Sequence, residues 1–279
     1  MHIPPFDNQN APIVGTDDPK TPLVYFNRLI LRAGDTYLSQ VDGYETCLVP
    51  ATGTVDIACG SFHADAVGER GADVWDGEPS GVYAPPGAAV EIEAKTDTEV
   101  FVAGARFDEV YDCFAVRPSD IDPVQYGSDD TKTHRKIKHI LGQNPPGRVG
   151  RLLVSELFTV GAGGWSGFPP HKHDTDRLPD ETRHDEVYNF RFKPDHGFGM
   201  QLLQREDGSV GEAYHLVNGS TFQIDTGYHP CVAAPGYEMY YFTILAGLSQ
   251  RSLVQFFQPT HAYQVETIPG IKDMVAKFK

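Results

Sequence analysis

Phe168-Pro169-Pro170-His171-Lys172-His173-Asp174, followed by His184-Asp185-Glu186-Val187-Tyr188-Asn189-Phe190 and later by Asp225-Thr226-Gly227-Tyr228-His229-Pro230, is the part of the sequence that decides the fold. Side-chain direction repeats every second residue along an extended chain, so His171 and His173 project to the same side. The two prolines give a rigid approach to the pair, because proline fixes φ and restricts the residue before it. Glu186 heads a strand on which residues 186, 188 and 190 share one face. His229 follows a second, glycine-containing tight turn. Three imidazoles and a carboxylate thus converge from strand and turn positions, a donor set that suits one divalent ion per chain. Zinc or manganese is favoured, and iron or nickel is compatible. An H-x-H pair alone is more often a solvated turn, and the flanking pattern is what raises it to the metal-ligand set His171, His173, Glu186 and His229.

Outward from this stretch the sequence is a succession of short strands. Apolar runs such as Val24–Leu31, 98–104, 151–160, 186–192 and 239–245 are separated by turns drawn from 28 glycines and 21 prolines. Val90-Glu91-Ile92-Glu93 alternates with the period of a half-buried strand. Residues 1–20 read as an extended arm, 21–112 as a first β-barrel or sandwich, 113–149 as a charged connection containing the Asn-Pro-Pro-Gly turn at 144–147, and 150–279 as a second barrel. Helix is expected only near 106–115 and in the C-terminal Ile-Pro-Gly-Ile-Lys-Asp-Met-Val-Ala-Lys-Phe. The fold class is therefore all-β, with two barrel or jelly-roll-like halves and few short helices. Only His63 lies between residues 3 and 133, so the metal and the chemistry are expected in the second half alone.

A net charge of −15 argues against nucleic acid or an anionic membrane surface as a partner. No run approaches the length of a membrane-spanning helix. The cysteines Cys47, Cys59, Cys113 and Cys231 form no C-x-x-C pair and follow no apolar leader, which predicts reduced thiols and a cytoplasmic setting. A homo-oligomer through the first half is compatible with its lack of a site.

The sequence resembles the 5-deoxy-glucuronate isomerases of myo-inositol catabolism, two-barrel cupins, over roughly residues 22–258. "GERGADVWDGEPSGVYAPPGAAVEI" (68–92) is similar to the first-barrel signature. "PPHKHDTD" (169–176) and, above all, "GYHPCVAAPGYEMYYFTILAG" (227–247) are similar to the second-barrel signatures. The resemblance implies interconversion of 5-deoxy-D-glucuronate, a small sugar acid, and 5-dehydro-2-deoxy-D-gluconate. A sister family, the 5-keto-4-deoxyuronate isomerases of pectin degradation, shares the architecture but has a short spacing between the second His and the Glu. Here twelve residues, 174–185, intervene, and they include the alternative carboxylates Glu181 and Asp185. An iron cupin dioxygenase could use the same ligands, and a sugar-binding cupin would show no turnover.

An isomerase also needs a general acid or base. Tyr188 shares a face with Glu186, and only one of Tyr240 and Tyr241 faces inward. Tyr188 and Tyr241 are the catalytic candidates, with His215 a further titratable group. Gln201 can only orient substrate, since an amide does not titrate. Lys172 and Arg183 are the candidate cationic substrate contacts. Arg191 is also in reach of the substrate carboxylate by sequence, but alternation places it on the strand face opposite Glu186. The insert 174–185 is a candidate lid carrying Arg183 over an anionic substrate.

Overall fold

The computed structural model describes residues 1–142 and 147–277, and side chains through Val275. Most of the Asn-Pro-Pro-Gly turn therefore lies outside the described residues. The expected strands form as two all-β halves. In the first, Val24–Leu31, Thr98–Arg106, Tyr44–Cys59, Gly81–Ala84 and Phe114–Val116 lie side by side in that order. Phe62–Arg70, Val90–Ala94 and Thr36–Ser39 complete the sheet around an interior of Leu29, Leu48, Ile57, Val82, Ile92 and Val102.

The second half is built on a seven-stranded antiparallel sheet. Its order is His2–Ile3, Thr221–Ile224, His184–Lys193, Glu238–Gly247, Leu152–Thr159, Arg135–Leu141, Val124–Tyr126. A four-stranded sheet of Trp165–Ser166, Cys231–Ala233, Phe198–Leu203 and Glu212–Val217 faces it. A two-stranded ribbon pairs His171–Lys172 with Phe256–Phe257.

Strand alternation explains how the large sheet is buried on both faces. Tyr188, Phe190, Phe192, Met239 and Tyr241 join the core of the second half. Their neighbours Val187, Tyr240, Phe242 and Ile244 join a different core, shared with Phe26, Phe101 and Ala103 of the first half. One sheet therefore walls the second barrel and backs onto the first, which is why its strands read as near-continuous apolar runs.

Polar groups also cross this junction. Arg70 forms a fully buried ion pair with Glu156, which accepts in addition from the Tyr240 hydroxyl at 2.9 Å. Glu45 accepts from the backbone amides of Gly150, Arg151 and Leu152 at 2.6–2.8 Å. The Asp185 carboxylate accepts from the Leu23 amide at 3.0 Å. Arg191, on the face opposite Glu186 as alternation requires, pairs with Glu99 of the first half.

Four local expectations need correcting. Residues 106–115 are not helical, because Phe114–Val116 joins the sheet edge at Gly81–Ala84. The segment 113–149 is more than a connection: it supplies that edge strand and two strands of the large sheet. The arm donates His2–Ile3 to the large sheet as well. Cys59 and Cys113 are joined in a disulfide, with Cα atoms 6.8 Å apart, whereas four reduced thiols were expected; Cys47 and Cys231 are free and buried. The C-terminal helix forms as Ile271–Lys277. No helix among the described residues is long and apolar enough to cross a membrane.

Candidate metal centre

The strand-and-turn logic of the sequence brings His171, His173 and His229 together, with ligating atoms all within 4.8 Å of one another. Each histidine is fixed through its other ring nitrogen. His171 Nδ1 donates to Pro169 O (3.3 Å), His173 Nδ1 to His184 O (3.1 Å), and His229 Nδ1 to Gly227 O (2.8 Å). A carbonyl oxygen can only accept, so each Nδ1 carries a proton. In the neutral rings the Nε2 lone pairs are then free to converge, the usual way a protein orients imidazole ligands.

Glu186 completes the group. Its Oε1 accepts from Thr243 Oγ1 at 2.8 Å, which turns Oε2 toward His173 Nε2 (3.0 Å) and His229 Nε2 (3.3 Å). Glu181 and Asp185, the other carboxylates weighed for this role, are committed elsewhere, to Lys172 and to the Leu23 amide. His229 Nε2 is buried and makes no hydrogen bond. A lone pair held against a carboxylate oxygen is repulsive unless a cation lies between them, so the residues fit a divalent metal.

The protonation states of His171 and Glu186 agree. Burial, then the neighbouring His229 and His173 rings, push His171 well below its ordinary value, keeping it in the neutral, ligating form. Burial alone would raise Glu186, but the adjoining His173 and His229 outweigh it and hold the carboxyl well below the usual range. For His173 burial is outweighed by Glu186, and the ring is shifted upward.

Two turns carry the ligands, and Asp174 ties them together. Its Oδ2 accepts from the Gly227 amide (2.8 Å) and Thr226 Oγ1 (2.9 Å), two and three residues before His229. Its Oδ1 accepts from Lys172 Nζ at 2.6 Å. Gly227 has φ +95°, and a Cβ there would lie 2.7 Å from Gln204 O, so this turn needs glycine. Gln201 supports the same turn by donating to His229 O (2.7 Å) and Pro230 O (3.1 Å).

Several expected contacts fall differently. Lys172 is fully buried in an ion cluster with Asp174 and Glu181, the alternation opposite to its histidine neighbours. Gln201 braces backbone, as just described. The insert 174–185 is folded onto that cluster, with Arg177 pairing Glu181 and the Arg183 amide bonded to Asp176, and none of its residues lines the cavity.

The cavity beside His171, His173 and Glu186 is narrow, with about 40 Å³ of room. Tyr188 and Tyr241 line it, with ring centroids 4.5 Å apart. Burial, then the Glu186 charge, raise the Tyr188 phenol far above its ordinary value, and burial does the same for Tyr241. The Tyr241 hydroxyl is 2.5 Å from Ser166 Oγ. Arg135 and Gln255 also line the cavity and were not singled out from the sequence. Gln255 Nε2 lies 3.0 Å from His171 Nε2. The signal for Arg135 was present: Arg135 and Ile137 alternate as an inward face within a segment read as a connection.

Comparison with known proteins places this arrangement. The profile of the KduI/IolB family matches residues 2–264. The chain belongs to that family. A curated relative from Geobacillus kaustophilus, named 5-deoxy-glucuronate isomerase, is 36% identical over 225 residues, covering 80% of this chain and 79% of its own. The crystal structure of an IolB-like protein from Salmonella typhimurium LT2 superimposes with a TM-score of 0.81 at 28% identity, covering 94% of each chain. Oxalate decarboxylase from Bacillus subtilis, at 10% identity and a TM-score of 0.62, covers all of this chain and 85% of its own, and so shares the fold. The fold is all-β and cupin-like.

Proposed function

We propose that this chain is a 5-deoxy-glucuronate isomerase, a metal-dependent aldose–ketose isomerase that forms 5-dehydro-2-deoxy-D-gluconate in inositol catabolism. The observation that carries this reading is the convergence of imidazole lone pairs on Glu186, beside two protonated tyrosines, in a member of a family whose curated relatives bear that name. His171, His173, Glu186 and His229 would hold the ion, and their nitrogen and oxygen donors favour zinc or manganese. When bound, a divalent ion lowers the cost of negative charge developing on adjacent substrate oxygens as a carbon-bound proton leaves.

The protein's own groups do the rest. Backbone carbonyls hold the three rings in one tautomer, and Thr243 holds Glu186, so little reorganisation is needed when substrate arrives. Tyr188 keeps its proton at neutral pH and serves as a donor to a substrate oxygen rather than as a base. Tyr241 Oη, coupled to Ser166, lies beside Tyr188 on the same wall. Apolar neighbours Phe168, Leu253 and Phe257 exclude water from the reacting carbons.

The test is turnover by the metal-loaded protein on 5-deoxy-glucuronate and on 5-keto-4-deoxyuronate. The expected result is conversion of the first at least tenfold faster in kcat/KM, without oxygen uptake. Preference for the second substrate, or oxygen consumption by the iron-loaded protein, overturns the reading.

A further inference from the structure

Arg135 is 4% exposed and lines the same cavity as His171, His173 and Glu186. Its guanidinium stacks over the Tyr126 ring, 4.7 Å from the centroid, and Nη1 donates to Ser166 Oγ. Its Nε is buried without an acceptor. Among the described residues no carboxylate lies within ion-pair distance of it. Among the described residues the other cations that are fully buried each have one: Arg70 has Glu156, Lys172 has Asp174 and Glu181, and Lys138 has Glu78. Glu186, the one carboxylate lining this cavity, is already committed to Thr243 and the histidines. A buried charge without a counter-charge is costly, so proteins pair such groups. Here the missing anion has to come from outside.

We propose that Arg135 is the carboxylate anchor that selects acidic sugars over neutral ones at this site. The inference rests on the isomerase reading for the identity of the acid, and on the unpaired guanidinium for the anchor itself. In 5-deoxy-glucuronate the carboxylate ends the chain opposite the aldehyde. Its capture by Arg135 leaves the aldehyde and its neighbouring hydroxyl for the histidine–Glu186 end. A planar guanidinium fixes both the position and the orientation of a carboxylate, which a lysine ammonium does not. Tyr126 holds the plane, and Ser166 links the anchor to the Tyr241 hydroxyl, so binding of the acid is felt on the wall that carries the proton donors.

The experiment compares wild type, Arg135→Lys and Arg135→Gln on 5-deoxy-glucuronate and on 5-deoxy-glucose, in which a hydroxymethyl group replaces the carboxylate. Wild type should prefer the acid. Arg135→Gln should lose roughly 100-fold in kcat/KM on the acid, as expected when a charge-assisted bidentate contact is removed. It should change less than threefold on the neutral sugar, at unchanged metal content. Arg135→Lys should fall between, and it supplies the same comparison if the glutamine variant does not fold. Equal losses on both substrates, or an intact preference for the acid, overturn the proposal. A second readout needs neither metal nor turnover: calorimetric binding of D-gluconate to the metal-free protein should be lost in Arg135→Gln and weakened in Arg135→Lys. Gluconate binding that depends on Arg135 in a protein inert toward 5-deoxy-glucuronate would sink the reaction reading and keep the anchor. Turnover of that acid with a preference indifferent to Arg135 would do the reverse.

Discussion

At the scale of single residues, the site is a set of side chains whose partners leave each with one remaining task. The Nδ1 atoms of His171, His173 and His229 are spent on carbonyls, so only Nε2 is available. Replacing His173 by Ala should therefore abolish metal retention and turnover together, with the strand content of the circular dichroism spectrum unchanged; full metal occupancy in that variant would contradict the ligand set. Tyr188→Phe removes a proton donor and no ligand. It should retain the metal and lower kcat by about 100-fold, within the range typical of general acid catalysis, and an unchanged kcat would shift that role to Tyr241. Much of this was legible from the sequence. Period-two alternation places Glu186 with Tyr188, and Tyr241 opposite to Tyr240. The same rule, applied to Lys172 between two ligand histidines, would have turned it away from the cavity. What Arg183 and Gln201 bond to is set instead by loop closure, which no periodicity records.

At the scale of elements, two turns far apart in sequence must meet in register. Asp174 makes that connection by accepting from Lys172 on its own turn and from Thr226 and Gly227 on the other. Asp174→Ala should leave all four ligands present yet loosen the placement of His229. Metal affinity should fall about 10- to 100-fold, the usual effect of removing a group that supports a ligand, as read by competition with a chelator. Affinity equal to wild type would show that Gln201 alone holds the turn. The insert 174–185 belongs to this bracing: its Glu181 is buried against Lys172, so Arg183→Ala is expected to leave KM for the uronate within twofold, and a tenfold rise would restore a substrate role. Arg135 was missed at this scale. The charges between Arg117 and Arg148 made the segment look like a linker, whereas Arg135–Leu141 is an inner strand paired with Leu152–Thr159.

At the scale of the whole molecule, the large sheet has no solvent face. Its outer side carries the Arg70–Glu156 pair into the junction between the halves. Glu156→Gln strands a buried guanidinium and should cost about 3–5 kcal/mol in denaturant unfolding. The double change Arg70→Met, Glu156→Leu should recover most of it, since a packed apolar pair replaces the charges; a double variant no more stable than the single would argue against this account. Trp75, from the first half, rests against Phe158 and Tyr240 of the second, with ring centroids about 6 Å away. Because Phe26, Phe101, Phe242 and Ile244 belong to one continuous core, neither half can melt without stripping the other. Heat should thus unfold the chain in a single calorimetric peak. A ligand present at a hundred times its dissociation constant adds about 2.7 kcal/mol to a two-state fold. In a Trp165→Phe background, which leaves Trp75 as the sole tryptophan, zinc added at that excess should accordingly move the melting curve seen by Trp75 fluorescence, a reporter on the half that holds none of the four ligands, by as much as it moves any signal from the metal-binding half.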